Sequence, residues 1–300
     1  MAGNTTQPGQ SVTARALALL GAFDVAHPRL SLSEMARRAG LPLATTHRLA
    51  GELEAWRALD RDDESYYRIG LRLWEAGLLA PVSSRLREIA LPFMQDLYEA
   101  NRENIHLAVR DGFDALYVEK LAGHRSVPII SRIGARLPLH ATGVGKALLA
   151  FAEPPFIRAY CERPLPRYTR YTIAERGRLL RELNRTAERG YAETNEEMTL
   201  GSCSVAVPIH HDTGSPTASL GIVVHSNRAD LPKLVPALRS AAAGISQRLI
   251  ETADDRAPGL VHDLPPLRAI YKSVGGGRPE GGSRRQAPGD SRAAGEPPDE

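Results

Sequence analysis

The sequence predicts a mostly α-helical winged helix-turn-helix domain over residues 11–70, followed by an α+β domain with an antiparallel sheet over residues 84–252. Two patterns predict this fold class. Near the N-terminus, three stretches with apolar residues at helical spacing precede a strand–turn–strand pattern. Further along the chain, hairpins and helices alternate irregularly, which favours an antiparallel sheet. Residues 71–83 are predicted to form a linker helix, with Pro81 interrupting it.

Both ends of the chain are predicted to be disordered, over residues 1–10 and 253–300. Residues 251–300 contain eight Gly and seven Pro, a share typical of low-complexity sequence. Residues 1–10 are polar and lack the charged-then-apolar order of a signal peptide. Since no apolar run reaches the ~18 residues that a membrane span needs, we expect a cytoplasmic protein without membrane contact.

Charge and cysteine content exclude few functions. Residues 11–72 carry nine Arg against eight acidic residues, so bulk charge does not indicate nucleic-acid binding. A prediction of DNA binding therefore has to come from the residue pattern. Cys161 and Cys203 lie far apart with no paired spacing, and neither a disulfide nor a zinc site is predicted. No cofactor and no metal are expected.

The helix-turn-helix is predicted from local signals. Val12 to Phe23 has apolar residues at helical spacing. Ser31 and Glu34 have the spacing of a capping box, which satisfies free amides at a helix start. Gly40 is placed to end that second helix, and Pro42 suits the entry to a third.

The third helix, from Leu43 to Trp56, is predicted to enter the DNA major groove. Leu49, Leu53 and Trp56 share one stripe and are expected to face the core. The opposite face is small at its N-terminal end and then rich in hydrogen-bond donors, as close approach to base edges requires. The predicted DNA contacts on this helix are Ala44, Thr45, Thr46, His47 and Arg48.

The wing is predicted as a β-hairpin over residues 59–69 around the acidic turn 62–65. Arg61, Tyr67 and Arg68 are predicted to contact phosphate, which fixes register without reading sequence. The acidic turn should be repelled by the DNA backbone. From pattern alone, a winged module that binds another protein remains an alternative.

Residues 33–42 (SEMARRAGLP), 45–49 (TTHRL) and 67–70 (YRIG) resemble the DNA-binding domain of the IclR family. The resemblance extends over about residues 11–250. It implies a transcriptional regulator with a GAF-like effector domain, whose chains form dimers that pair into tetramers. One departure is Leu43-Ala44, where the family usually has a polar or basic residue followed by Ser. Operator preference therefore cannot be transferred.

Further elements are predicted in the second domain from periodicity and capping. Thr172 and Glu175 are expected to cap a helix that ends at Gly190. The other predicted helices span 84–100 and 231–252, and the predicted strands span 105–109, 115–118, 127–131, 204–209 and 218–225.

The stretch 137–147 (LPLHATGVGKA) resembles the effector-domain signature of the same family. Glycines before a helix expose backbone amides, and a helix N-terminus favours an anion. The glycine spacing is too short for a nucleotide P-loop, and Ala147 replaces its metal-binding Ser or Thr. The residues alone leave a ligand site and a closely packed helix start equally open, and the resemblance favours the ligand site.

The resemblance also implies which residues line the ligand site. Four positions that are typically polar in the family are Thr194, Ser204, Gly221 and Val223 here. Fewer fixed polar groups suit a carboxylate with an aromatic or alkyl body. The full predicted ligand-binding set is Leu137, Gly143, Val144, Thr194, Ser204, Gly221 and Val223.

Catalysis is not predicted. The candidate groups are Cys203, His106, His140 and the pair 210–211, which show no nucleophile–base spacing and no Gly-x-Ser-x-Gly elbow. The chain is therefore expected to be a ligand-responsive regulator that binds double-stranded operator DNA as a homodimer or tetramer. The alternative is a small-molecule-binding or catalytic protein whose winged module mediates protein contacts.

Overall fold

The computed structural model describes residues 11–80, 85–123, 127, 130–210, 216 and 218–254. Predictions for residues 1–10, for Pro81 and for the tail from residue 255 onward lie outside this range. The described residues up to Ala253 belong to one compact unit. Among the described helices, none is both long and apolar enough to cross a membrane.

The first part of the chain is a helix-turn-helix with a two-stranded wing, as the sequence predicts. Ser31 Oγ accepts from the amide of Glu34, whose carboxylate accepts in return from the Ser31 amide at 2.8 Å. Gly40 ends the helix with φ of +65°, a conformation that favours glycine. The elements are α1 (Val12–Leu20), α2 (Leu32–Ala39), α3 (Leu43–Ala55), β1 (Leu59–Arg61), β2 (Tyr67–Ile69) and α4 (Leu71–Leu78).

A small apolar core holds these elements together. Leu19, Met35 and Leu49 bring the three helices into contact and are fully or almost fully buried. Leu30 and Tyr67 form a β-bridge that attaches the wing to the loop before α2. Trp56 does not face this core, contrary to prediction: it is 45% exposed, with Arg72 over its ring at 4.5 Å.

The linker helix α4 is shorter than predicted, and its apolar side chains are exposed. It ends at Leu78, and none of its residues is buried. Leu71 is 63% exposed and Trp74 61%.

The second part is an α+β domain around a six-stranded antiparallel sheet of order β5-β4-β3-β8-β7-β6. Its helices are α5 (Arg87–Asn101), α6 (Gly143–Ala150), α7 (Pro154–Cys161), α8 (Arg176–Arg189) and α9 (Leu231–Asp254). Its strands are β3 (Asn104–Asp111), β4 (Asp114–Leu121), β5 (Arg136–Pro138), β6 (Ala192–Asn195), β7 (Ser202–Ile209) and β8 (Ala218–His225).

Two predictions for this domain are wrong. The described residues of the segment 127–131 form no strand, and the edge strand is instead β5. Thr172 does not cap α8: its hydroxyl accepts from the amides of Tyr168 and Thr169 and donates to the Glu197 carbonyl at 2.6 Å.

The sheet separates two cores, because alternate side chains of a strand point to opposite faces. On β7, Cys203, Val205 and Val207 pack against α5 and α9. Ala206 packs on the other face against α6, α7 and α8. Ser204 shares this second face, where a cavity lies.

Candidate effector cavity and DNA-binding surface

A cavity lies where the N-terminus of α6 meets the sheet. It encloses about 490 Å³ of space between atoms, its open mouth included. Seven elements contribute walls to it: β3, β4, β5, α6, β6, β7 and β8. All seven residues of the predicted ligand-binding set line it: Leu137, Gly143, Val144, Thr194, Ser204, Gly221 and Val223.

The glycines of the signature motif have different structural roles. A Cβ at Gly145 would lie 2.6 Å from the Leu139 carbonyl oxygen, so this glycine permits close packing. Thr142 caps the helix, accepting from the Gly145 amide at 3.2 Å. Gly143 and Val144 occupy the first turn, whose amides lack intrahelical partners, and they line the cavity. The motif is thus a closely packed helix start that also borders the cavity.

The floor of the cavity is formed by neighbouring strands in fixed register. Thr194 of β6 pairs with Ser204 of β7, and their buried hydroxyls lie 2.5 Å apart. On β8, a Cβ at Gly221 would lie 2.9 Å from Val144 Cγ1. The absence of a side chain at Gly221 therefore lets Val144 approach the sheet.

A buried histidine lines the cavity and was not predicted as a site residue. His106 Nε2 lies 2.9 Å from Ser131 Oγ, and its ring meets Tyr117 edge-on with centroids 5.1 Å apart. Burial lowers the pKa of His106 to about 3, with a further contribution from the charge of Lys120. Burial raises the pKa of Tyr117. Both groups are therefore neutral at physiological pH.

A buried ion pair holds α6 behind the cavity. Lys146 is completely buried, and its Nζ lies 2.6 Å from Glu197 Oε1 and donates to the Glu193 carbonyl at 3.2 Å. Burial raises the pKa of the Glu197 carboxyl, although Lys146 acts in the opposite direction. The pair joins α6 to the turn between β6 and β7. The Lys146 ammonium group is therefore already bound by two protein groups, the Glu197 carboxylate and the Glu193 carbonyl.

The exposed face of α3 carries most of the predicted DNA contacts. Ala44, His47 and Arg48 are exposed, and Thr45 is half-buried. Arg48 forms an ion pair with Glu52 one turn later, on the same face. Because both side chains are more than half exposed, the attraction between them is weak, and the pair can open at little cost in free energy.

Two predicted DNA contacts are wrong. Thr46 is completely buried, and its hydroxyl donates to the Pro42 carbonyl at 3.1 Å, so the side chain stabilises the start of α3. Tyr67 is 3% exposed within the apolar core, and its backbone pairs with Leu30. Neither side chain is available to DNA.

The wing presents two cations beside a partly neutralised turn. Arg61 and Arg68 are exposed, and Arg68 lies 3.4 Å from Asp62. Arg29 forms ion pairs with Asp62 at 2.7 Å and with Glu64 at 2.6 Å. The acidic turn, expected to repel DNA, is thus partly compensated by a residue from the loop before α2.

Comparison with known families identifies both parts of the chain. A model described as the bacterial transcriptional regulator IclR C-terminal domain matches residues 80–247, more than half of the chain. A model described as the IclR helix-turn-helix domain matches residues 12–63. The chain belongs to the IclR family. The resemblance drawn from the sequence motifs is therefore confirmed.

Relatives of this IclR-family protein match it over most of their length. The HTH-type transcriptional regulator KipR of Bacillus subtilis is 31% identical over 78% of this chain and 95% of KipR. XynR of Escherichia coli, also named an HTH-type transcriptional regulator, is 31% identical over the same shares. An IclR homologue from Microbacterium hydrocarbonoxydans, solved with 4-hydroxybenzoate, is 33% identical, with a TM-score of 0.77 over 80% of this chain and 99% of that chain.

The family assignment decides between the two functions considered from the sequence. This IclR-family protein is a transcriptional regulator with a DNA-binding helix-turn-helix, and not an enzyme. Cys203 packs in the core on the far face of the sheet, where its thiol donates to Asn195 Oδ1 at 3.1 Å. Within the described part of the chain, no group of three His, Cys, Asp or Glu residues is placed to hold a metal ion.

Several cavity residues of the regulator were missed by motif reasoning. Ser131 lies in a segment predicted as a strand, and His106 and Tyr117 lie on predicted strands. The sequence contained one signal for His106: it is a polar residue of β3 with apolar neighbours on both sides. Such a residue is unusual in a buried strand unless its polar group has a partner. The missed lining residues include His106, Tyr117, Ile130, Ser131, Met198, Thr199 and Ser202.

Proposed function

We propose that this regulator represses or activates a catabolic or metabolic operon in response to a small organic carboxylate bound in the cavity at α6. The observation that carries the proposal is the convergence of the whole predicted ligand-binding set on one cavity. Those residues come from distant parts of the sequence, and only the fold brings them together. Apolar walls with a few convergent polar groups are typical of small-molecule sites.

The polarity of the cavity supports a carboxylate with an apolar body. The first-turn amides of Gly143 and Val144 favour an anion at the helix N-terminus. The Thr194 and Ser204 hydroxyls lie at the same end of the cavity, and because one of them donates to the other, one O–H remains to donate to a carboxylate. Gly221 and Val223 stand at positions that are typically polar in the family, so this part of the cavity is apolar. The M. hydrocarbonoxydans relative, solved with an aromatic monocarboxylate, is consistent with this ligand class.

DNA binding is assigned to the exposed face of α3 and to the wing. Ala44, Thr45, His47 and Arg48 face the major groove of double-stranded operator DNA, and Arg61 and Arg68 contact phosphates, in a cytoplasmic homodimer or tetramer. Two recognition helices reading paired half-sites require at least a dimer. The ligand changes the spacing of the two DNA-binding domains through α4, to the extent that it binds the two arrangements with different affinity.

The experiment is a salt series of binding to DNA that flanks the gene of this regulator. The full chain is titrated into labelled fragments, and the dissociation constant is followed by fluorescence anisotropy as salt rises. Phosphate contacts release counterions, so the affinity should fall steeply with salt and differ strongly between fragments. Weak binding without fragment preference, both there and after selection from random DNA, would refute the assignment.

A further inference from the structure

Two pairs of polar side chains line the effector cavity on either side of Gly221 and Val223, and Thr142, Thr199 and Ser202 are further polar lining residues. One end is the Thr194–Ser204 hydroxyl pair, which lies directly beneath α6, since a Cβ at Gly143 would be 2.5 Å from Ser204 Oγ. The other end is the pair of His106 and Ser131, which also lines the cavity. A ligand that fills the cavity therefore meets hydrogen-bonding groups at both of its ends.

The strand register gives the separation of the two ends. Ser204 pairs with Val223 on β8, and Gly221, two residues away on β8, pairs with His106 on β3. Two strand spacings of about 4.8 Å and a two-residue offset place the Cα atoms of Ser204 and His106 about 12 Å apart. Side chains stand roughly perpendicular to a sheet and so keep about this spacing, and hydrogen bonds of about 2.8 Å at each end then leave roughly 6 Å for the ligand. A six-membered ring with polar groups in para positions has about this length.

The second end offers hydrogen bonds without charge. The imidazole of His106 is held neutral by burial, which lowers its pKa to about 3. Lys120, whose charge contributes to that shift, donates through Nζ to the Ser131 carbonyl at 2.8 Å and does not line the cavity. A neutral imidazole and a hydroxyl can each donate and accept. An ionised group placed here would lose its hydration, while the nearby cation, Lys120, is bonded to the Ser131 carbonyl and does not line the cavity.

We propose that the His106–Ser131 pair selects the second polar group of the effector, accepting a neutral hydroxyl or amide opposite the carboxylate and rejecting a second carboxylate. The inference rests on the proposed function, which assigns the carboxylate to the α6 end. It makes His106 and Ser131 specificity-determining residues. The effector is then a cyclic or aromatic monocarboxylate with a neutral polar group at its far end.

Three probes of equal ring size test this selection. Binding of 4-hydroxybenzoate, benzoate and terephthalate to the full chain is measured by calorimetry. The first should bind at least tenfold more tightly than the other two, because benzoate leaves the remaining hydrogen-bonding capacity of the pair unused and terephthalate places a charge there. Equal affinities, or a preference for terephthalate, would overturn the inference. Failure of all three to bind would overturn the proposed ligand class and the inference with it.

Variants assign the preference to the pair itself. His106→Phe and, independently, Ser131→Ala should reduce the ratio of the affinities for 4-hydroxybenzoate and benzoate to less than threefold. Ser219→Ala is the matched control: this buried hydroxyl donates to the Val207 carbonyl at 2.9 Å and does not line the cavity. The control should keep the tenfold preference. Full preference in folded Ser131→Ala and His106→Phe proteins would refute the role of the pair.

Discussion

The buried pair of Lys146 and Glu197 allows a quantitative test of what holds α6 in place. Lys146→Met keeps the length of the side chain and removes its charge. Lys146 is completely buried, and the Glu197 side chain is 8% exposed, so the remaining carboxylate has little access to water. Removing one partner of a buried pair costs about 3–5 kcal/mol of unfolding free energy. For a chain of this size, that corresponds to a fall in Tm of roughly 6–20 °C.

The cost should depend on pH, because the Glu197 carboxyl can take up a proton. Burial already raises its pKa, and the loss of Lys146 removes the main opposing interaction. The folded variant then binds this proton more readily than the unfolded chain, so its stability rises as pH falls. Urea unfolding followed by circular dichroism should show a larger difference from wild type at pH 8 than at pH 5.

The double variant Lys146→Met/Glu197→Met is the matched control. Replacing both members of a buried pair by apolar residues of similar volume is often close to neutral. The double variant should therefore recover most of the stability that the single variant loses. If both variants lose the same stability at pH 8, the cost arises from altered packing, and the electrostatic explanation is refuted.

Three further predictions concern DNA binding, pH and helix capping. Arg48→Ala should weaken operator binding about tenfold, whereas Glu52→Ala, which frees Arg48, should tighten it. Fluorescence anisotropy at constant salt measures both affinities, and equal weakening by the two variants would contradict the assignment. The unfolded chain protonates His106 below pH ~6.5 and the folded chain does not, so stability should fall between pH 6.5 and 3 by up to about 1.4 kcal/mol per pH unit. His106→Gln should flatten this slope in urea unfolding, and an unchanged slope would exclude His106 as its cause. Ser31→Ala should cost about 1 kcal/mol of unfolding free energy by removing the cap of α2. Ser33→Ala, on the exposed side of the same helix, should be nearly neutral in the same urea unfolding assay, and equal losses would contradict the capping role.

The DNA-binding domain was largely predictable because its signals are local. The capping box at Ser31 and the left-handed glycine at Gly40 act through neighbours within four residues, and both occur as predicted. The errors at Thr46 and Tyr67 have a different origin. Whether these side chains are buried depends on packing against other elements, such as the bridge from Tyr67 to Leu30, and no local pattern specifies that.

The cavity was predictable only where a family motif marked its residues. Gly143 and Ser204 belong to such motifs, so the resemblance placed them without knowledge of the sheet. His106 belongs to none. Its place in the cavity follows from the pairing of β3 with Gly221 on β8, a contact between residues more than one hundred positions apart. Strand periodicity alone does not determine which face of a strand meets a ligand.

The most direct test of the central claim, that the cavity controls DNA binding, is operator affinity measured with and without ligand in wild type and in Gly143→Val. The variant places a side chain against Ser204 Oγ, where even a Cβ would lie 2.5 Å away, and so closes the carboxylate end of the cavity. A panel of monocarboxylates including 4-hydroxybenzoate should contain at least one that changes wild-type operator affinity fivefold or more and has no effect on the variant. Equal responses in both proteins, or no response of the wild type to any member of the panel, would contradict the account.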